Sequence, residues 1–229
     1  MKLEISEKKN YESIREYALR ILNKNLLNMN LVPGMALSEQ EIANELQMSR
    51  TPVREAFIRL AHENLLEIIP QKGTYVAKID LEQVEECIFL RRTVEHAVMQ
   101  LACQFFPETN RQQLQDCIDL QKKCAQKEDF SYFFELDEIF HGIIYKGCGK
   151  GRIWQMIEQM GLNYKRVRML NLLNGYYEMP KLFHQHEQIY AAIVNSSGKE
   201  GERIITEHIG KALKDIEELK EKYPLYFRG

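Results

Sequence analysis

Hydrophobic side chains recur at helical spacing along most of the chain. Near the N-terminus this spacing predicts three short helices, whose apolar stripes are Ile14, Ala18, Ile21 and Leu22; Ile42, Ala43 and Leu46; and Val53, Phe57 and Leu60. Further along, it predicts long amphipathic helices over residues 81–106, 109–127, 130–147, 151–174, 180–195 and 200–222. The pattern therefore indicates a mainly α protein.

Residues 65–77 depart from the helical pattern. There β-branched and apolar residues flank the sequence Pro70-Gln71-Lys72-Gly73, which is typical of a short hairpin. Short helices with a hairpin, followed by long helices alone, indicate two domains. We place them at residues 1–79 and 80–229, with a linker at residues 78–80, and we expect the second domain to be an antiparallel all-helical bundle.

The second and third predicted helices follow each other closely. Ser38 and Glu41 have the spacing of a capping box, which would start the first of these two helices. Ser49 has the position of an N-cap for the other one, and Pro52 is tolerated in its first turn, where amide hydrogens have no helical acceptor. Two helices separated by a tight turn and followed by a hairpin predict a winged helix-turn-helix.

The second helix of this motif presents two different faces. Its apolar stripe points inward, whereas the opposite face and the N-terminal rim carry Ser49, Arg50, Thr51 and Arg54. Hydroxyls and a helix N-terminus bind phosphate, and arginine binds phosphate or guanine edges. Lys72 and Gly73 lie at the wing tip, where glycine permits close backbone approach to a groove. The alternative is a protein-interaction module whose arginines are only solvated charges.

The net charge limits how DNA could be bound. The whole chain carries −2, and residues 1–79 hold 11 Lys and Arg against 10 Asp and Glu, which gives +1. Recognition of double-stranded operator DNA must therefore depend on local geometry. Because few phosphates are neutralised per domain, we expect weak binding by a monomer and tight binding by a homodimer on a two-fold operator.

The sequence SRTPVREAFIRL, followed by the Pro-x-x-Gly wing, resembles the GntR family of bacterial transcriptional regulators over residues 11–80. The resemblance implies a DNA-binding regulator, which we expect to be a repressor. It also implies DNA contacts at Ser49, Arg50, Thr51, Arg54, Lys72 and Gly73. Gln40 stands where the family often has Arg or Lys, so one phosphate or base contact is altered there. Asn64 replaces a usual glycine and also tolerates the left-handed conformation.

Four polar side chains of the second domain lie on apolar helical stripes. Asp137 and His141 share one helix face among phenylalanines, His186 faces inward whereas His184 faces outward, and His208 is flanked by isoleucines. A buried carboxylate is costly unless it is paired or ligated. One aspartate and three histidines could bind a divalent ion, with Zn²⁺, Ni²⁺ or Mn²⁺ favoured by the nitrogen-rich set. Taken singly, each histidine fits better as a hydrogen-bonded core residue than as a ligand, and only the four residues together indicate a metal.

Several positions of this domain resemble the FadR-type, or FCD, effector domain of GntR regulators over residues 81–223. They are Arg91-x-x-x-Glu95, Asp137-x-x-Phe-His141, His186 with Ile189, and His208. The resemblance implies that Asp137, His141, His186 and His208 are metal ligands, and that the domain responds to a small organic acid. Lys150 departs from an asparagine that is frequent in the family.

An ion held by three neutral imidazoles and one carboxylate keeps a net charge of about +1, which would attract a carboxylate metabolite. Arg91 lies on an apolar stripe, where it could bind that anion, or it could pair only with Glu95 one turn away. Arg168, like Arg166, is a weaker candidate because arginines usually lie at the surface. The expected function is operator binding controlled by an acid at the metal site.

Two other functions remain open. A metalloenzyme would need a general base beside the metal, and Glu138 points about 100° away from Asp137 on the same helix. We therefore do not expect an enzyme. The helical domain could instead be a dimerisation platform with a structural metal and no effector. Tests of acid binding to the metal-loaded protein separate this platform from a sensor.

The remaining composition fits an ordinary intracellular protein. The chain has no signal-peptide pattern and no apolar run of about 18 residues, so we expect no membrane association and a cytoplasmic location. Its five cysteines, Cys87, Cys103, Cys117, Cys124 and Cys148, form no CxxC pair. We expect buried reduced thiols; a disulfide framework or thiolate metal site is the alternative.

Overall fold

The computed structural model describes residues 3–175, 179–210 and 216–228. The chain forms two compact units. One holds the residues up to Leu81 together with the segment from Leu219 onward, and the other runs from Glu82 to Glu218. Together they are mainly α-helical, as predicted.

The first unit contains a helix-turn-helix and a small antiparallel sheet. Its elements are α1 (Ile14–Leu27), β1 (Ala36–Leu37), α2 (Glu39–Glu45), α3 (Arg50–His62), β2 (Leu66–Ile69) and β3 (Gly73–Val76). The sheet has the order β1-β3-β2, and the β2–β3 pairing runs from Leu66 opposite Val76 to Ile69 opposite Gly73. The predicted hairpin is confirmed. The two-residue strand β1 is too short to leave a pattern in the sequence.

The helix caps differ in part from the prediction. Ser38 Oγ accepts a hydrogen bond from Glu41 N, at 3.4 Å, which is one half of the predicted capping box. Ser49 occupies the N-cap of α3, but its side chain forms no capping bond. Pro52 stands at the third helical position and has no N–H to donate, so one of the two usual donors to a capping side chain is missing. Both halves of a capping box instead occur at the start of α1, between Ser13 and Glu16.

The end of the chain belongs to the first unit. Ile79 and Phe227 form a parallel β-bridge, in which Ile79 N donates to Tyr226 O at 2.8 Å and Arg228 N donates to Ile79 O at 2.9 Å. Arg228 Nη1 also lies 3.0 Å from Asp80 Oδ2. The predicted domain of residues 80–229 had placed this C-terminal segment with the helical bundle, whereas the structure groups it with the first unit.

The second unit is built from helices. They are α4 (Leu81–Gln104), α5 (Glu108–Lys127), α6 (Phe130–Gly147), α7 (Gly151–Met160), α8 (Leu162–Leu173), α9 (Met179–Val194) and α10 (Gly198–Gly210). Helix α11 (Ile216–Lys222) begins in this unit and ends in the segment that belongs to the first unit. The predicted helix 200–222 corresponds to α10 and α11, and its residues 211–215 lie outside the described part of the chain.

The predicted helix 151–174 is divided into α7 and α8 at Gly161. Glycine weakens a helix, and a Cβ at this position would lie 3.0 Å from Ile157 O and 3.4 Å from Cys87 Sγ on α4. The absence of a side chain therefore permits both the break and the close approach of α4.

All five cysteines are free thiols, and four of them are buried. This agrees with the expected reduced state. Among the helices that the structure describes, none combines the length and the apolar character needed to cross a bilayer.

Candidate metal centre and nucleic-acid interface

Asp137, His141, His186 and His208 converge inside the helical unit. Helix α6 carries Asp137 and His141, α9 carries His186 and α10 carries His208. All four are buried, and one potential ligand atom from each lies within 4.8 Å of the others. His184, in contrast, is exposed. The sequence thus identified the members of this cluster, and the helix packing brings them to one point.

The Nε2 atoms of the three histidines face one another. His208 Nε2 lies 3.3 Å from both His141 Nε2 and His186 Nε2. Asp137 Oδ1 lies 3.4 Å from His186 Nε2 and 3.9 Å from His208 Nε2. Four potential ligand atoms therefore surround one small volume.

The opposite ring nitrogens are held by three oxygen acceptors. His141 Nδ1 lies 2.9 Å from Glu95 Oε2, His186 Nδ1 lies 2.8 Å from Gln121 Oε1, and His208 Nδ1 lies 3.1 Å from Gln185 Oε1. Because oxygen can only accept in these contacts, each Nδ1 carries the proton. In a neutral imidazole the lone pair is then on Nε2, which faces the centre.

This arrangement suits a cation. Burial lowers the pKa of His186, and burial together with the neighbouring imidazoles lowers that of His208 well below its usual value, which favours the neutral rings. Neither oxygen of Asp137 accepts a hydrogen bond of good geometry within the described residues. Three inward-facing imidazole nitrogens without a donor are costly to bury, and a divalent ion would satisfy them together with the Asp137 carboxylate, which otherwise has only Arg168 as a counter-charge in the described part of the chain.

Two buried arginines border the cluster. Arg168 Nη2 lies 2.7 Å from Asp137 Oδ1, and Arg91 Nε lies 2.6 Å from Glu95 Oε1. Burial favours a neutral Asp137, but the charge of Arg168 outweighs it and holds the pKa of Asp137 well below the ordinary range. Arg166 is buried as well, so the sequence-based expectation of surface positions for Arg166 and Arg168 is wrong. Their role toward an acid stays a prediction.

Gln121 and Gln185 were not predicted as site residues. Gln121 lies on the buried stripe of α5 with Leu114, Cys117, Ile118 and Cys124, and Gln185 lies on the buried stripe of α9. A polar residue on an apolar stripe was therefore visible in the sequence. What the sequence could not show is that each amide meets a histidine of another helix.

A small cavity of about 10 Å³, large enough for one water molecule, adjoins the histidines. It is lined by Glu95, Val98, Met99, His141, Ile144, Tyr145 and Ile205. Within the described residues, the buried Tyr145 hydroxyl has no hydrogen-bond partner. An organic acid would need side chains to move before it could enter here.

The predicted DNA-contacting residues lie on the surface of the first unit. Ser49, Arg50, Thr51, Arg54, Lys72, Gly73 and Gln40 are all exposed, whereas Val53, Ala56, Phe57 and Leu60 of α3 are buried. Arg50 Nε lies 2.7 Å from Glu39 Oε2, and Gln40 donates to Asn44 Oδ1 on the same helix. The two faces of α3 are as predicted; the DNA contacts themselves stay predictions.

Two family descriptions match the sequence. Residues 15–76 match "Bacterial regulatory proteins, gntR family", and residues 86–211 match the FCD domain. The chain is 30% identical over 217 residues to the HTH-type transcriptional repressor RspR of Escherichia coli (strain K12), with 94% of each chain covered. It is 29% identical over 176 residues to the HTH-type transcriptional regulator McbR of Escherichia coli (strain K12), which covers 75% of this chain and 77% of that protein.

A solved structure of Escherichia coli McbR/YncC shares the fold. It superposes with a TM-score of 0.74 at 23% sequence identity and covers 93% of this chain and 99% of the other. The two curated relatives are named as transcriptional regulators rather than enzymes. The chain therefore belongs to the gntR family of DNA-binding bacterial transcriptional regulators and carries an FCD domain whose buried Asp137, His141, His186 and His208 are compatible with a metal site.

Proposed function

We propose that the protein is a repressor whose binding to operator DNA is controlled by a small organic acid at a divalent transition metal in the helical unit. The observation that carries the proposal is the buried cluster of Asp137 and three histidines, whose Nε2 lone pairs face inward while each Nδ1 is held from outside. Without a bound ion, the inward-facing lone pairs of the three histidines would be buried with no hydrogen-bond donor, which is costly.

Asp137, His141, His186 and His208 would hold the metal. Three imidazoles and one carboxylate favour Zn²⁺, Ni²⁺ or Mn²⁺ over Ca²⁺ and Mg²⁺, which prefer oxygen ligands. When bound, the ion would supply a positive charge and a coordination position for a carboxylate. Glu95, Gln121 and Gln185 orient the histidine rings for that purpose.

Buried positive charge also supports an acidic effector. Arg91 is balanced by Glu95, and Arg168 by Asp137 and Glu138. The charge of a metal ion would then exceed what these groups neutralise, so an anion would be favoured beside it. Within the described residues, Arg91 Nη2 has no hydrogen-bond partner and can still donate to a ligand.

Repression is supported by the relative RspR, which is named a repressor. We propose that the protein acts as a homodimer, since one first unit presents few basic groups and a two-fold operator would double the contacts. Acid binding at the metal would alter the linker at residues 78–80 and release DNA. The acid can shift this equilibrium only by its difference in affinity for the two states.

The experiment combines three measurements on the full chain. Elemental analysis gives the metal content, selection of bound genomic fragments gives the operator, and calorimetry with a panel of carboxylic acids gives the effector. We expect one metal per chain and an acid that weakens operator binding. A metal-loaded protein with no acid response would instead favour the dimerisation platform, and no preference for any duplex would contradict the DNA-binding function.

A further inference from the structure

Glu95 links two groups of the buried cluster through one carboxylate. Its Oε1 atom lies 2.6 Å from Arg91 Nε, and its Oε2 atom lies 2.9 Å from His141 Nδ1. All three side chains are at most 3% exposed. A buried cation and a candidate metal ligand therefore share a single counter-charge, with no solvent between them to screen it.

The three histidines are held in unequal ways. His186 and His208 meet the neutral amide oxygens of Gln121 and Gln185, whereas His141 meets a carboxylate. A carboxylate that accepts from Nδ1–H makes an imidazole more basic and a better metal ligand than a neutral acceptor does. The strength of His141 as a ligand therefore depends on how fully Glu95 is available to it.

Arg91 competes for the same carboxylate. Its guanidinium carbon lies 5.1 Å from the ring centre of Tyr164 and 5.6 Å from that of Trp154, so aromatic faces hold it in place. Its Nη2 atom is buried and, within the described residues, bonds to nothing. An anion on Nη2 would take up part of the positive charge of Arg91, and Glu95 would then bond more strongly to His141.

We propose that Glu95 is a positioning residue that couples anion binding at Arg91 to metal binding at His141. It keeps His141 Nε2 directed at the ion, and it makes the strength of that ligand depend on whether Arg91 has bound an anion. The inference rests on the metal site of the proposed function and explains how the binding of the acid and the binding of the metal would influence each other. Acid and metal then each raise the affinity of the other by the same factor.

The test measures Zn²⁺ affinity of the full chain by competition with a chromophoric chelator, with and without acetate as a simple carboxylate. The chelator is calibrated in the same acetate buffer. For the wild-type protein, we expect acetate to tighten Zn²⁺ binding about fivefold or more. Glu95→Gln should lower Zn²⁺ affinity about 10- to 100-fold, because an outer hydrogen bond is kept but its charge is lost. The acetate effect should become smaller, because only direct coordination of acetate to the ion would remain.

Gln185→Leu is the matched control. It removes the acceptor of His208 and leaves Arg91 and Glu95 unchanged, so Zn²⁺ affinity should fall while the acetate effect remains. This separates coupling through Glu95 from the general loss of an outer ligand contact. A purely structural role for Glu95 would not change the ratio of the two affinities.

Glu95→Gln leaves Arg91 buried without its counter-charge, which by itself destabilises the fold, so a second variant is needed. The double variant Arg91→Met with Glu95→Gln removes both charges and should fold, as judged by circular dichroism, while showing weak Zn²⁺ binding and the same reduced acetate effect. Wild-type Zn²⁺ affinity in this variant, no acetate effect in the wild type, or an acetate effect of wild-type size in the variant overturns the inference. A wild-type protein that binds no Zn²⁺ contradicts the metal site itself.

Discussion

Arg50 Nε lies 2.7 Å from Glu39 Oε2, so the first residue of α3 is paired with the first residue of α2. Arg50 is a predicted DNA contact, and its side chain is 64% exposed whereas that of Glu39 is 20% exposed. The ion pair thus crosses the turn of the helix-turn-helix. It lowers the net positive charge at the surface that we expect to face the phosphates.

Glu39→Gln should therefore strengthen binding to DNA of any sequence and make it more sensitive to salt. With Arg50 released to neutralise a phosphate, the slope of log affinity against log salt should become steeper by about 1. Titrations of labelled duplexes at several salt concentrations measure the slope. Glu63→Gln is the control, since it also removes the carboxylate partner of an arginine, Arg59, but at the other end of α3. Equal slopes for both variants would count against the prediction.

Arg54→Ala should abolish specific operator binding. Arg54 is exposed on the polar face of α3, and loss of a base-reading arginine costs about 1–3 kcal/mol per site. A mobility-shift titration against operator and competitor DNA measures the loss. Metal content should be unchanged, and a parallel loss of both properties would mean that the variant is misfolded.

His208→Ala should lower the metal content of the purified protein. The substitution removes one of the four inward-facing atoms and leaves Gln185 without its partner. Elemental analysis gives the stoichiometry, and His184→Ala provides a control because that imidazole is exposed on α9. Unchanged stoichiometry in the His208 variant would remove it from the set of ligands.

Phe227→Ala should destabilise the first unit by about 3–5 kcal/mol, the usual cost of truncating a buried phenylalanine. Phe227 is 4% exposed and bridges to Ile79, whereas Leu225, two residues earlier, is 74% exposed. Leu225→Ala should therefore have almost no effect. Chemical denaturation followed by circular dichroism compares the two variants, and similar midpoints would show that the C-terminal segment contributes little.

The four residues of the buried Asp–His cluster could be identified from the sequence, because a polar side chain on an apolar helical stripe stands out in the residue pattern. Asp137, His141, His186 and His208 all had that signature. Gln121 had it too, but an amide alone indicates no metal chemistry, and only the packing of α5 against α9 shows that it meets His186. Local periodicity thus finds candidates, while their partners depend on tertiary contacts.

Other differences between the sequence-based predictions and the structure lie where the local structure depends on a second residue or on a single glycine. Ser49 has the position of a capping serine, yet it forms no capping bond, and Pro52 lacks one of the two N–H groups that it could bind. Gly161 divides a helix whose apolar periodicity continues on both sides. The pairing of Phe227 with Ile79 joins residues from distant parts of the chain and leaves no periodic signal at all.

That pairing changes the topology of the protein. Because the chain leaves the first unit after Leu81 and returns to it at Leu219, the helical unit is an insertion between two parts of the DNA-binding unit. Two covalent connections, rather than one, therefore join the helical unit to the DNA-binding unit. A fragment cut at residue 79 would therefore lack part of its own fold, and an isolated DNA-binding head would need the C-terminal segment supplied as well.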